Sequence, residues 1–136
     1  MLDVVAWVHA IDGRMLTVRA RARDLLYLPG GKREPGEQDW AALSREVREE
    51  LGVELQRASF RHLGMVQAPA HDQGEGVQVR MACFTAAYTG RLSPQAEVDE
   101  YVLIGPDQRD LLAPASQLAL DLATDHGLCH QPSPHA

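Results

Sequence analysis

Three glutamates, Glu46, Glu49 and Glu50, fall at i, i+3 and i+4 inside the stretch GGKREPGEQDWAALSREVREELGV that runs from Gly30 to Val53. On a helix these carboxylates share one edge, within a wedge of roughly 100°. Like charges at that spacing cost roughly 0.2–0.5 kcal/mol per pair on an isolated helix, so the arrangement asks for a neutralising partner. A divalent cation is one such partner, and oxygen donors without a nearby cysteine or histidine suit Mg²⁺ or Mn²⁺ rather than Zn²⁺. A solvated acidic face with Arg45 and Arg48 as partners is the other reading of the same residues. Leu43, Val47 and Leu51 recur every four positions beside the glutamates. That stripe predicts a helix with one face in the core, with Asp39 as its N-cap and Gly52 as its stop.

The full spacing separates the two readings. Gly31, Glu37, Arg45, Glu46, Val47, Glu49, Glu50, Gly52 and Val53 stand at every specified position of G-x5-E-x7-R-E-U-x-E-E-x-G-U, where U is aliphatic. A chance match is on the order of one in 10⁹ per starting position. The stretch resembles the box of the Nudix hydrolases. The resemblance implies a mixed sheet between helices, an α/β/α sandwich, and Mg²⁺-dependent hydrolysis of a phosphoric anhydride, with Mn²⁺ as an alternative ion. It assigns the ion to Glu46, Glu49 and Glu50 with the backbone carbonyl of Gly30, and makes Gly31, Glu37 and Gly52 structural members of the box. Arg45 is expected to pair with Glu37 and to orient the catalytic carboxylates. Glu97 and Glu100 lie in an E-V-x-E run that is similar to the family's E-I-x-E-x-x-W segment, with Leu103 in place of the tryptophan. Glu97 matches the later metal-associated glutamate of MutT-like members, so Glu97 and Glu46 are the two candidates for general base, ahead of Glu100.

The elements around the box are expected to form one domain. Leu2–Ala10 and Met15–Arg19 read as strands joined by Asp12-Gly13, a strong hairpin signal. Leu25–Leu28 reads as a short strand ended by Pro29, and Val53–Leu55 and Phe60–Ala68 as two more. Pro69–Gly76 reads as a loop, and Val77–Tyr88 alternates as a strand does. Tyr101–Ile104 is a last strand, and Pro114–His126, with Leu118 and Leu122 at helical spacing, a second helix. These elements fit a domain over residues 1–128, with residues 129–136 a disordered tail.

The chain has 136 residues, a single-domain length. Cys83 and Cys129 lie too far apart for a zinc knuckle, and no apolar run approaches 18 residues; a reducing cytoplasmic setting with no membrane contact is expected. A net charge of −6 argues against a nucleic-acid polymer as partner. Residues 1–33 nevertheless carry six basic residues against three acidic ones, a basic end suited to a small anion. Lys32, Arg14, Arg23 and Arg80 are the candidate substrate-binding cations. Monomer and homodimer are both compatible with the sequence.

Family substrates join a nucleoside diphosphate to a variable group. Length and a compact N-terminus resemble the MutT-like enzymes, which turn a nucleoside triphosphate into monophosphate and pyrophosphate. Pro69, 16 residues beyond Val53, is similar in spacing to ADP-ribose and other nucleotide-sugar pyrophosphatases. A Nudix-fold nucleotide sensor without turnover is the remaining alternative, and the intact set of box glutamates weighs against it.

Overall fold

The computed structural model of the chain describes residues 1–71 and 73–131. Strand β1 (Leu2–Trp7) lies at the centre of a four-stranded mixed sheet in the order β4-β1-β7-β6, with β4 at Gly30–Lys32, β6 at Arg61–Pro69 and β7 at Gln78–Thr85. β1 and β7 run parallel, Leu2 opposite Val79 through Trp7 opposite Phe84, whereas β4 and β6 join antiparallel. Because successive side chains on a strand point to opposite faces, β1 and β7 feed two cores at once. Val5, Trp7, Ala82 and Phe84 pack with Leu43, Val47 and Leu51 of helix α1 (Asp39–Leu51) on one side. Ala6, Met81 and Cys83 pack on the other with Ala115, Ala119, Leu120 and Ala123 of helix α2 (Pro114–Asp125). This is the expected α/β/α sandwich with a mixed sheet. At Gly64 of β6 an added Cβ would stand 2.8 Å from Leu122 Cδ2, which is how closely α2 lies on the sheet.

A second sheet joins β2 (Ala10–Ile11), β3 (Arg14–Ala20) and β9 (Val98–Ile104). Asp12 and Gly13 have φ of 53° and 78°, the left-handed pair that a two-residue hairpin turn requires. The strand expected over Leu2–Ala10 is in fact two. The Trp7 amide donates to Pro29 O and the Val8 amide to Phe84 O, while His9 O accepts from Leu16, so the chain leaves one sheet and enters the other at this point. β9 begins at Val98 rather than Tyr101, because the β3 partner continues with a bulge between Arg19 and Ala20. Leu25–Leu28 makes isolated bridges at Val18–Tyr27 and Leu26–Leu112 in place of a strand. A small pair, β5 (Glu54–Leu55) with β8 (Tyr88–Thr89), closes the fold beside α1.

One further expectation is corrected. Gln38, not Asp39, is the N-cap of α1, and Asp39 in the first turn pairs instead with Arg33 at 2.7 Å. Of the expected tail, Cys129 is buried in the α2-side core and the His130 amide donates to Gly13 O at 3.0 Å; residues 132–136 lie outside the described residues. Among the described residues no helix is long and apolar enough to cross a membrane. Since Leu43 is fully buried in the α1 core, Leu43→Ala should lower unfolding stability by about 2–5 kcal/mol, read by urea denaturation with an unchanged m-value.

Candidate active site

The α1 edge is built by its flanking glycines. Gly52 ends the helix at φ 70°, its amide donating to Arg48 O. Gly30 sits at φ 145°, where a Cβ would lie 2.0 Å from Val5 O, so the strand β4 closes on β1 only with glycine there. At Gly31 a Cβ would meet the Glu46 carboxylate carbon at 2.6 Å. The box glycine is therefore the residue that lets Glu46 lie flat on the loop backbone.

Arg45 joins that loop to the helix. Its Nε and Nη2 donate to the two oxygens of Glu37 at 2.8 Å each, its Nη1 to Glu46 Oε1 at 3.0 Å, and its Nη2 also to Lys32 O at 3.2 Å. Glu49 stands 3.6 Å from the same Nη1. The bidentate hydrogen bond from Arg45, helped by the Glu34 amide, holds the Glu37 carboxyl down to about 2, and the Glu37 carboxylate in turn raises Arg45. The expected internal pair is present, and Arg45 also contacts Glu46 and Glu49 of its own helix.

Glu50 behaves differently. Burial, and next the hydrogen bond and negative charge of Glu46, raise its carboxyl well above the usual range, opposed by a hydrogen bond from the Gly30 backbone. Glu46 and Glu50 thus set their carboxyls against one another, a crowding that a hard cation would balance. Among the described residues no three acidic, histidine or cysteine side chains point at one ion-sized spot, because Glu46 and Glu49 turn toward Arg45. The donor set, all oxygen and held by one helix edge and a glycine loop, fits Mg²⁺ or Mn²⁺ once those side chains rotate.

Glu46, Glu49 and Glu50 line a cleft of about 430 Å³ together with Gly30, Gly31, Lys32, Arg23 and Glu97. Its apolar floor is the α2-side face of the sheet, Leu2, Val4, Val79 and Met81, walled by Tyr27, Pro69, His71 and Ser116. Sequence reading passed over Tyr27, His71 and Ser116. Their partners lie far along the chain: the Tyr27 and His71 rings are 6.2 Å apart, His71 Nε2 is 2.9 Å from Asp24 Oδ1, and Ser116 Oγ accepts from the Leu28 amide at 3.2 Å. No local spacing signals such contacts. Arg23 also lies 5.9 Å from the Tyr27 ring centroid.

Several expected site residues lie elsewhere. Arg14, in the β2–β3 hairpin, does not line the cleft. Arg80 faces away from it and binds Asp3 at 2.7 Å, in the small hollow that also holds Arg33 and Asp39. Glu100 pairs with Arg19 at 2.8 Å across β3 and β9, and Asp99 with Arg21 at 3.4 Å. Of the six early basic residues, Arg19 and Arg21 thus pair with acids of β9 and Arg33 with Asp39, while Lys32 and Arg23 line the cleft.

The two carboxyls make opposite predictions in EDTA. Glu37 is lowered by folding, so its contribution is complete above pH 4.5 and is lost as pH falls toward 2. Glu50 is raised by folding, so it weighs increasingly against the folded state as pH climbs above 4.5. Thermal melts should therefore show Glu37→Gln below the parent at pH 7, with the gap narrowing on acidification. Glu50→Gln should melt above the parent at pH 8, with the gap closing toward pH 4.5. A reversed order would overturn both environments.

Comparison with known proteins agrees with this geometry. A family model described as the NUDIX domain matches residues 1–122. A segment of 58 residues is 43% identical to the CTP pyrophosphohydrolase of Escherichia coli (strain K12), spanning 40% of this chain and 43% of that protein. The fold is similar to the solution structure of the E. coli ORF135 protein, with a TM-score of 0.73 and 29% identity over 92% of this chain and 89% of that one. It is also similar to the crystal structure of a MutT NUDIX hydrolase from Burkholderia pseudomallei, with a TM-score of 0.71 and 25% identity over 89% and 96% of the two chains. With its box intact on one lip of the cleft and the family match running from β1 through α1 and into α2, the chain belongs to the Nudix hydrolases.

Proposed function

We propose that this Nudix hydrolase is a Mg²⁺- or Mn²⁺-dependent pyrophosphohydrolase of the cytoplasm that cleaves a nucleoside triphosphate to monophosphate and pyrophosphate. The observation that carries the reading is the cleft itself, of about 430 Å³, with three carboxylates and Lys32 on one lip and an apolar, aromatic surface across from them. That volume and mixture suit a nucleotide, with its phosphates at the charged lip and its base on the apolar side. The similarity to a CTP pyrophosphohydrolase, confined to a 58-residue segment, makes CTP the first triphosphate to try.

In this reading Glu46, Glu49 and Glu50, with the Gly30 carbonyl and Glu97, hold the cation. When bound, it supplies charge neutralisation on the phosphate oxygens and a water of lowered pKa. Arg45 ties the helix to the loop through Glu37 and the Lys32 carbonyl, Lys32 and Arg23 bind phosphate oxygens, and Glu97 accepts the proton of the attacking water, a role for which Glu46 is the alternative. A nucleotide-sugar substrate such as ADP-ribose is the second reading, favoured by Pro69 in the cleft wall.

The test is a Mg²⁺-dependent comparison of CTP, other triphosphates and ADP-ribose with products resolved. The expected products from CTP are CMP and pyrophosphate, with label from H₂¹⁸O in one of them. Free phosphate alone would move the attack to the γ-phosphorus, a preference for ADP-ribose would favour the second reading, and tight binding without turnover would make the chain a sensor. Glu49→Gln and Glu50→Gln should abolish both turnover and the rise in melting temperature on adding Mn²⁺; full activity of both in EDTA would overturn the metal assignment. Glu97→Gln should lower kcat by about 10²–10⁴-fold at saturating Mg²⁺.

A further inference from the structure

Glu97 reaches the cleft from a segment with neither helix nor paired strand beneath it, yet its backbone is held at several points. The last carbonyls of any helix lack partners within it. In α1 two of them, Glu50 O and Leu51 O, accept from the amides of Gln95 and Ser93, each at 2.9 Å. The Val98 amide donates to Gln95 O at 3.0 Å, closing a four-residue turn, and Glu97 O accepts from the Arg21 amide at 2.7 Å. Ala96, the second residue of that turn, has φ 54°. A left-handed alanine is uncommon and a β-branched residue there is an outlier, so the turn holds a conformation the chain does not favour on its own. The Gln95 side chain also covers Gly52, where a Cβ would stand 2.4 Å from its Nε2.

We propose that the Gln95–Val98 turn, hung on the last turn of α1 and locked at Ala96, is a positioning device that sets Glu97 against the carboxylates of the same helix. Glu50 presents its side chain to the cleft and its carbonyl to Gln95, so one residue fixes the distance between the box edge and the late glutamate. Ala96 is the positioning residue and Glu97 the group positioned. The inference rests on the reading of Glu97 as general base.

The competing role is plain capping of the helix end, and a double-mutant cycle separates the two. Ala96→Val drives φ negative and swings Glu97, and a misplacement of about 1 Å costs on the order of 10²-fold in rate. The expected result is a fall in kcat of that order with KM little changed. Ala96→Val/Glu97→Gln should be no slower than Glu97→Gln alone, and Ala96→Asn, which tolerates the left-handed region, should restore kcat. Mn²⁺ affinity without substrate, read by electron paramagnetic resonance, should fall no further in Ala96→Val than in Glu97→Gln, because Glu46, Glu49 and Glu50 are undisturbed. If Ala96→Val does not fold, Ala96→Gly, which adopts the same φ without holding it, carries the cycle with a smaller fall in kcat. Parental kcat in Ala96→Val or its substitute beside an impaired Glu97→Gln overturns the positioning role and leaves Glu97 its chemistry. Additive losses, or Mn²⁺ binding weaker in Ala96→Val than in Glu97→Gln, also overturn it, by showing that the turn serves the helix rather than Glu97. Parental kcat in Glu97→Gln removes the reading of Glu97 itself, and the positioning role with it.

Discussion

The Arg45 guanidinium is the point on which the carboxylate edge depends. Its planar fork spans Glu37 in the loop, Glu46 on its own helix and the Lys32 carbonyl in β4, three pieces of chain that would otherwise move separately. Lysine offers one compact charge and cannot hold that geometry. Without the fork, Glu46 and Glu50 would still lie half-buried beside each other, but the loop that brings Gly30 and Gly31 against them would lose its tie to α1. A crowd of like charges is tolerated here because a cation of the chain's own is already woven through it.

The sandwich places this edge where chemistry is feasible. β1 and β7 send alternate side chains to two cores, and the α2-side face of the same strands emerges as the floor of the cleft. Helix α1 is on the opposite side of the sheet, and its glutamates reach the cleft over the β4 edge, where Gly30 and Gly31 remove the side chains that would stand in the way. The apolar floor and the acidic lip are therefore set by separate layers of the fold, and each can vary without rebuilding the other.

What was legible in the sequence follows the same division. The box helix, its Gly52 stop, the Glu37–Arg45 pair and the hairpin at Asp12-Gly13 all rest on residues close together in the chain, where spacing alone fixes geometry. Spacing does not fix the role of Asp39, because an acidic residue at a helix start serves equally as cap or as first-turn charge, and Arg33 decides between them. The break of the first strand after Trp7 is invisible in composition, since both halves are apolar; the partner strands decide it. Arg14 and Arg80 carry the right charge but lie outside the cleft, and Arg80 answers to Asp3, 77 positions away. Tyr27, His71 and Ser116 come together only through the fold, so no local pattern marks them.

The pairing of early arginines with late acids has a consequence for how a ligand arrives. Arg19, Arg21 and Arg33 are each committed to a carboxylate, so the charge excess of residues 1–33 does not project outward, and the long-range field remains that of a chain with net charge −6. At physiological ionic strength a free polyphosphate meets this repulsion only once it comes within about 8 Å, the screening length. Encounter is then favoured for an anion that already travels with its counter-cation, and added salt speeds the approach instead of slowing it, the reverse of electrostatic steering. The enzyme's acidity acts as a filter on the charge state of what reaches the cleft, before any contact with the residues that line it.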